Sequence, residues 1–445
     1  MLIKLFCLMV WVNLIEEELY DRVSIFHKVK QVIINRNIDV LDKSIFFKVS
    51  FVFPVRDPKR VEMIITNPIF IVGVSQAFID AGAKAVYIGD AETFACSHYA
   101  FEVVEIKKEV KKLPKDVRKK IKFCYLDEMP KEILSPDKPF LPGIEFDYPN
   151  IVKEVDLFIS LPKLKVNIFA DVTLSVKNNM GLLSKPYRLK YHSNNLHELI
   201  ADIYQIRQPD YVITDAILAG EGQGPMEASS YPTNLIIFGN NGPAVDLVCC
   251  HLMGYNPLSI KHLKYLIDAN YGPSNLEEID LETLSILENH KHSFIRPIST
   301  LTDLCENITV FSGECCSSGC LPFLRALLDG YGLRKGWENV GDLTLIYGKN
   351  LVLSQSDYDR LKSLSKKDKK KVLVYGNCVK KYKDLGIFYS GCPPDYIRSL
   401  MTFPFKNTIG FSPWINYVEK RTFVFSMLQS AFRKLFRIYP RIQQK

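Results

Sequence analysis

The sequence has no apolar run long enough to cross a bilayer. The nearest approach is at the start, where an uncharged run fills residues 5–15 after Lys4. That is well short of the roughly 18 apolar residues a span requires. No small-x-small cleavage site follows it, and three Glu come at once. The run is therefore expected to form a first helix, buried or interfacial, rather than a secretion signal. The chain is expected to be cytoplasmic. Also absent are a Gly-Lys-Ser/Thr phosphate loop and the spacing of the dinucleotide fingerprint, so no glycine-rich turn here marks a nucleotide site by itself. There is no Cys-x-x-Cys, which disfavours a thioredoxin-like exchange centre. No repeat of fixed period occurs, which argues against a solenoid. A net charge of +8 is too slight to indicate nucleic acid.

What is present is a folding composition. The 445 residues are 47% hydrophobic and 24% charged, with 27 Phe and 22 Tyr to build a large core. Strand-length apolar runs alternate with helical patterns, which predicts an α/β fold with a mainly parallel sheet flanked by helices. Residues 44–53 predict a strand, 68–82 a helix, and 84–90 a second strand. The basic stretch 106–122 predicts a solvated helix. Further strands are expected at 123–128, 155–163, 210–217 and 233–240, with helices at 195–207 and 242–254. Periodicity fades near 275–300. We therefore expect a helical extension over 1–43, an α/β unit over 44–290, and a smaller cysteine-rich α/β unit over 301–404. In that smaller unit, helix 321–330 and strands 342–348 and 371–376 are joined by a Lys-rich link, and another helix follows Pro394. The basic amphipathic tail, 405–445, is expected either to dock on the body or to lie on a membrane surface.

The segment "LPKLKVNIFADVTLSVKNNMG" places Lys163 and Lys165 just past a buried strand, two residues apart and so on one side of extended backbone. Lys177 and His192 follow. Three ammonium groups and an imidazole near a strand end predict a pocket for a small anion or an acidic partner, because ligands favour the C-terminal edge of a parallel sheet. Lysines that merely snorkel over apolar neighbours are the alternative. In "VITDAILAGEGQGP", Asp215 ends a strand and Glu221 stands among glycines. With Asp246 they present oxygens for a divalent cation, or Asp215 and Asp246 simply cap backbone.

These segments, with "ITDAILAGEGQGP", "GPAVDLVCCHLMG", "FFKVSFVFP" and "AGAKAVYIGD", resemble the domain-of-unknown-function 362 family (DUF362) in the order of that family, over residues 44–272. The resemblance implies an α/β domain and no particular reaction. It also implies an iron–sulfur module at the other end of the chain, which members often carry. Two positions depart from the family pattern. Asn167 stands where the family usually has His, and "MEASS" follows Pro225 where the family has Gly.

Eleven cysteines in a reducing compartment are not expected to form disulfides. Cys7, Cys96, Cys124, Cys249 and Cys250 lie in apolar surroundings and are expected in the core. Cys315, Cys316 and Cys320 share "GECCSSGC"; Cys378 follows a strand in "VYGNC"; Cys392 stands in "SGCPP". Cys305 precedes them. Loops that converge with four thiolates can hold a [4Fe–4S] cluster. Cys378 and Cys392 are the first choice, with Cys316 and Cys320 from the first loop and Cys315 as substitute. A zinc site, unliganded thiols, or exchange at the vicinal Cys315–Cys316 pair are the alternatives. The layout is similar to the cluster-binding subunits of complex I and nickel–iron hydrogenases, which combine clustered cysteines, a G-x-C after a strand and a GCPP. The cationic pocket and the cysteine cage together predict an iron–sulfur protein that passes electrons to or from an anionic ligand or partner. A non-redox metal-dependent enzyme with a structural cluster, or a scaffold that binds an acidic partner such as an electron-carrier protein, are the alternatives.

Overall fold

The computed structural model describes residues 9–52, 62–92, 96–191, 195–302, 304–316, 318–395, 398–399, 402–404 and 420–442. His192 and Cys7 lie outside them. In chain order the strands are β1 (Val12–Glu16), β2 (Ser44–Val49), β3 (Ala85–Asp90), β4 (Ile121–Tyr125), β5 (Lys131–Leu134), β6 (Phe146–Pro149), β7 (Leu157–Leu161), β8 (Lys163–Asn167), β9 (Asp171–Thr173), β10 (Tyr211–Gln223), β11 (Glu227–Gly239), β12 (Ile308–Ser312), β13 (Leu343–Tyr347), β14 (Val372–Tyr375) and β15 (Ile387–Tyr389).

The large sheet runs β1-β11-β10-β7-β2-β3-β4, with β8 continuing beside β10 and β9 pairing β8. From β10 to β4 every pairing is parallel, while β10–β11, β1–β11 and β8–β9 are antiparallel. Strand β2 is buried at all six positions and lies between β7 and β3. That explains its near-continuous apolar run, because both faces of a central parallel strand are covered. Helix Pro68–Asp80 starts where Asn67 accepts the Ile69 amide and Pro68 occupies the first turn. It packs with Arg22–Asn35 over one face of the sheet. Helix Gly242–Leu252, capped by Asn241, packs over the other face with Lys261–Asp268. The expected mainly parallel α/β architecture is what the chain adopts, and β12-β13-β14-β15 form a second, wholly parallel sheet.

Several local expectations change. Residues 12–16 form a strand, not a helix: they pair residue for residue with 235–239 and close the open edge of β11. The basic stretch 106–122 is two short helices, Ile106–Lys111 and Lys115–Lys120, separated around Pro114, and its end already belongs to β4. The "GEGQG" segment is no loop. Gly220, Glu221 and Gly222 are in β10, opposite 228–230 of β11. A Cβ at Gly220 would sit 2.7 Å from the Met63 carbonyl oxygen, and one at Gly224 would sit 2.5 Å from that of Val166. These glycines admit close backbone packing. The Lys-rich link is partly the last turn of a helix, Gln355–Lys367.

Candidate functional site

Two polar constellations emerge. The first is a set of lysines sunk into the large sheet. Lys163 is fully buried, 3.0 Å from Asp215. It donates to the Tyr20 hydroxyl (2.6 Å), which in turn donates to Asp215 (2.9 Å). The Asn67 amide also donates to Asp215. Lys48, missed as a site residue, pairs with Asp90 at 2.7 Å and donates to the Val49 carbonyl. The signal was present as the lone charge inside "FFKVSFVF". Asn178 donates to the Lys48 carbonyl and to Ser160, and a Cβ at Gly181 would fall 2.3 Å from Asp90 and 2.6 Å from Lys48 Nζ. Much of "KNNMG" therefore serves to enclose one ion pair.

Lys165 differs from these two. It is fully buried, yet it donates to Ser50 (3.3 Å) and to the Ile64 carbonyl and meets no carboxylate among the described residues. Burial first, then the charges of Lys177, Lys163 and Lys48, pushes its ammonium far below the ordinary lysine range. Burial, and secondarily Lys48, brings partly exposed Lys177 down to about 8. Four lysines thus share one neighbourhood, Lys48 and Lys163 paired with Asp90 and Asp215, while Arg188 and Glu62 add charge nearby. A cation excess in a low-dielectric setting attracts an anion.

The three carboxylates expected to hold a divalent cation are not brought together. Asp215 belongs to Lys163. Asp246 accepts the amides of Ser175 and Val176. Glu221 accepts the Ile295 amide and lies 3.7 Å from His292. Asp215 and Glu221 are six residues apart on one strand, roughly 20 Å. No group of three or more His, Cys, Asp or Glu among the described residues is arranged to hold a metal ion.

The second constellation is built by the small sheet. All four of its parallel strands end at one edge, and the segments beyond β12, β14 and β15 carry the cysteines. Cys315, Cys316, Cys320, Cys378 and Cys392 line a single cleft of ≈ 390 Å³, which includes open solvent, together with Gly319, Gly348 and Gly391. Backbone bonds fix the loops to one another. Gly376 donates to Tyr389, Asn377 to Gly391, and the Gly391 amide back to the Asn377 side chain, each at 2.9 Å. Glu314 and Lys349 exchange amide bonds in the same way. At Gly376, φ is +97° and a Cβ would stand 2.8 Å from Cys320 Sγ, so only glycine leaves that sulfur its place. Burial, then the neighbouring sulfurs of Cys392, Cys378, Cys316 and Cys315, pushes the Cys320 thiol up to about 12. Cys315 is raised to about 11 by burial, Cys316 and Cys378. Without a cation these sulfurs disfavour one another's ionisation. The other described cysteines behave as expected of core thiols: Cys96, Cys124, Cys249 and Cys250 are buried, while Cys305 is partly buried against the core of the small sheet.

The two constellations touch. In the turn after β8, Asn167 accepts the amides of Phe169 and Ala170. The Phe169 carbonyl accepts the Ser318 hydroxyl at 2.8 Å, and its ring lies 4.8 Å from that of Phe323. Asn167 is thus a turn-forming residue at the contact between the lysine strand and the cysteine loop. At the tip of β10, Gln223 bonds Ile298 and Asp329, and Met226 packs into the core of the small sheet.

Fold and site together define an α/β protein with a buried lysine cluster in one sheet and a cysteine-lined cleft at the edge of another. Residues 45–251 match the model of a family described as Domain of unknown function (DUF362). The match supports the DUF362 family for this part of the chain, and it ends before the cysteines of the cleft. A thylakoid-associated protein of Synechocystis sp. is 28% identical over 113 residues, 24% of this chain and 35% of that protein. The chain therefore spans about a third of the length of the curated relative it matches. A solved structure from Thermotoga maritima aligns over 85% of this chain and 93% of its own at 9% identity, with a TM-score of 0.35.

Proposed function

We propose that the chain is an iron–sulfur protein whose cluster is held in the five-cysteine cleft, and that it exchanges electrons with an anionic ligand or an acidic carrier protein. The observation that supports this reading is that Cys316, Cys320, Cys378 and Cys392, up to 76 residues apart, face one cleft. A [4Fe–4S] cluster, when bound, supplies one-electron transfer. Its four thiolates sit on four separate irons and so stand further apart than the ligands of one zinc ion. Cys320, Cys378 and Cys392 would bind it with Cys316, and Cys315 is the alternate for the fourth place.

The protein's own groups do the rest. Lys177 attracts the ligand, with buried Lys165 beside it, while Lys48 and Lys163 are held by Asp90 and Asp215. The Asn167 turn keeps the lysine strand against the cysteine loop. Around the exposed sulfur of Cys378, the exposed Lys380, Lys381 and Lys383 offer a positive surface to an acidic carrier.

Anaerobic reconstitution with iron and sulfide tests the reading. A broad absorption in the visible that bleaches with dithionite is expected in the native chain and is lost in Cys392→Ser. A protein that stays colourless after reconstitution refutes it.

A further inference from the structure

The helix Lys420–Leu435 docks on the body the wrong way round for a soluble surface helix. Such a helix normally turns its apolar stripe inward. Here the inward residues are Phe423, Ser426, Ser430 and Arg433, spaced at three and four. The Phe423 ring meets Tyr99 at 5.7 Å, the Ser426 carbonyl accepts the Cys96 thiol, and Arg433 pairs with Glu128 at 2.6 Å while lying over the Tyr125 ring. Both serines are buried. At about 100° per residue, Val424, Phe425, Leu428, Phe432 and Leu435 occupy the opposite arc. They are 58%, 56%, 66%, 53% and 76% exposed, and Phe436, just beyond, is 60% exposed. A contiguous apolar face of this kind marks an interaction surface.

Its charge selects the occupant. From residue 420 to the end there is no Asp or Glu, against seven Lys and Arg. Lys420 and Arg421 flank the apolar arc at one end and Arg437 at the other, while Lys434 lies 3.8 Å from Asp127. Arg433 is committed to Glu128, which fixes the rotation of the helix and keeps the apolar arc outward. Long basic side chains beside an apolar face reach headgroup phosphates while the apolar residues enter the acyl boundary. Among the described residues no helix is long and apolar enough to cross a membrane, so this contact is with the surface of a bilayer.

We infer that the helix Lys420–Leu435 is a docked, pre-positioned anchor that binds the protein to an anionic lipid surface through Val424, Phe425, Leu428, Phe432 and Leu435. The inference is independent of what the cysteines hold. It is tested by sedimenting the full chain with phosphatidylcholine vesicles and with vesicles containing phosphatidylglycerol. The native chain is expected to sediment with the anionic vesicles, less so with neutral ones, and less as salt rises. Phe425→Ser with Leu428→Ser, both exposed, should weaken binding at least about tenfold without changing circular dichroism. Lys420→Glu with Arg421→Glu should remove the preference for anionic lipid. No sedimentation with anionic vesicles, or equal sedimentation of native and Ser variants, overturns it. So does a native dimer that the Ser variants dissociate while neither binds vesicles, since the face would then belong to a second copy.

Discussion

Lys163 shows how much depends on a single side chain. Its ammonium and the Asp215 carboxylate are both fully buried and held at 3.0 Å. Removing one partner leaves the other charged in a poor solvent. Asp215→Ala is expected to cost about 3–5 kcal/mol, seen as a lower midpoint in urea. Lys177 titrates instead. Its pKa of about 8 lies below the ordinary 10.5 because burial and the Lys48 charge oppose protonation. Anion binding should therefore weaken as pH rises through about 8. Between 8 and 10.5 the unfolded chain binds the extra proton, so this group makes folding stability rise with pH across that window. Titration calorimetry with sulfate, whose charge is constant over the range, at pH 6.5 and 9.5 checks the first point. Equal affinity at both, or an unchanged profile in Lys177→Met, contradicts it. Gly376 marks the other constellation. Gly376→Ala should diminish iron uptake on reconstitution while leaving circular dichroism unaltered, because the added methyl displaces the Cys320 sulfur.

Among the elements, the turn after β8 joins the two constellations. Asn167→Ala removes the acceptor for two buried-turn amides and is expected to cost about 1–2 kcal/mol. Thermal unfolding measures it, and a change within error of zero would remove the residue from the turn's support. Legibility in the sequence also divides by element. Strands β2, β3, β7, β13 and β14 are plain from their apolar runs, since a central parallel strand needs little else to declare itself. The segment 12–16 is equally apolar but became a strand only because β11 offered an unpaired edge, a fact that no local pattern contains. Gly220 looked like a loop residue, since the sequence cannot show the Met63 carbonyl that demands a missing side chain. The lysines stood out as charges interrupting apolar runs. Which lysine keeps a carboxylate could not be read, since Asp90 and Asp215 reach their partners across 42 and 52 residues of chain. The cysteines were the easiest part, because loops after successive parallel strands come to one edge of their sheet.

As a whole molecule, the large sheet carries the cation excess, the small sheet carries the sulfurs, and the turn after β8 and the tip of β10 hold them together. The C-terminal helix crosses back to the large unit, where Tyr439 and Ile442 join the core beside β3 and β4. This arrangement sets the cysteine-lined cleft close to the lysine cluster and leaves an apolar helix face exposed. We propose the first as an electron-carrying centre beside an anion site and the second as a face for a membrane. The proposed function requires sulfurs distant in sequence to enclose one inorganic core. Native mass spectrometry of the anaerobically purified chain measures this most directly. The account predicts an added mass of about four irons and four sulfides, lost in Cys378→Ser. A bare polypeptide after reconstitution, or a chain carrying one zinc ion in its place, would contradict it.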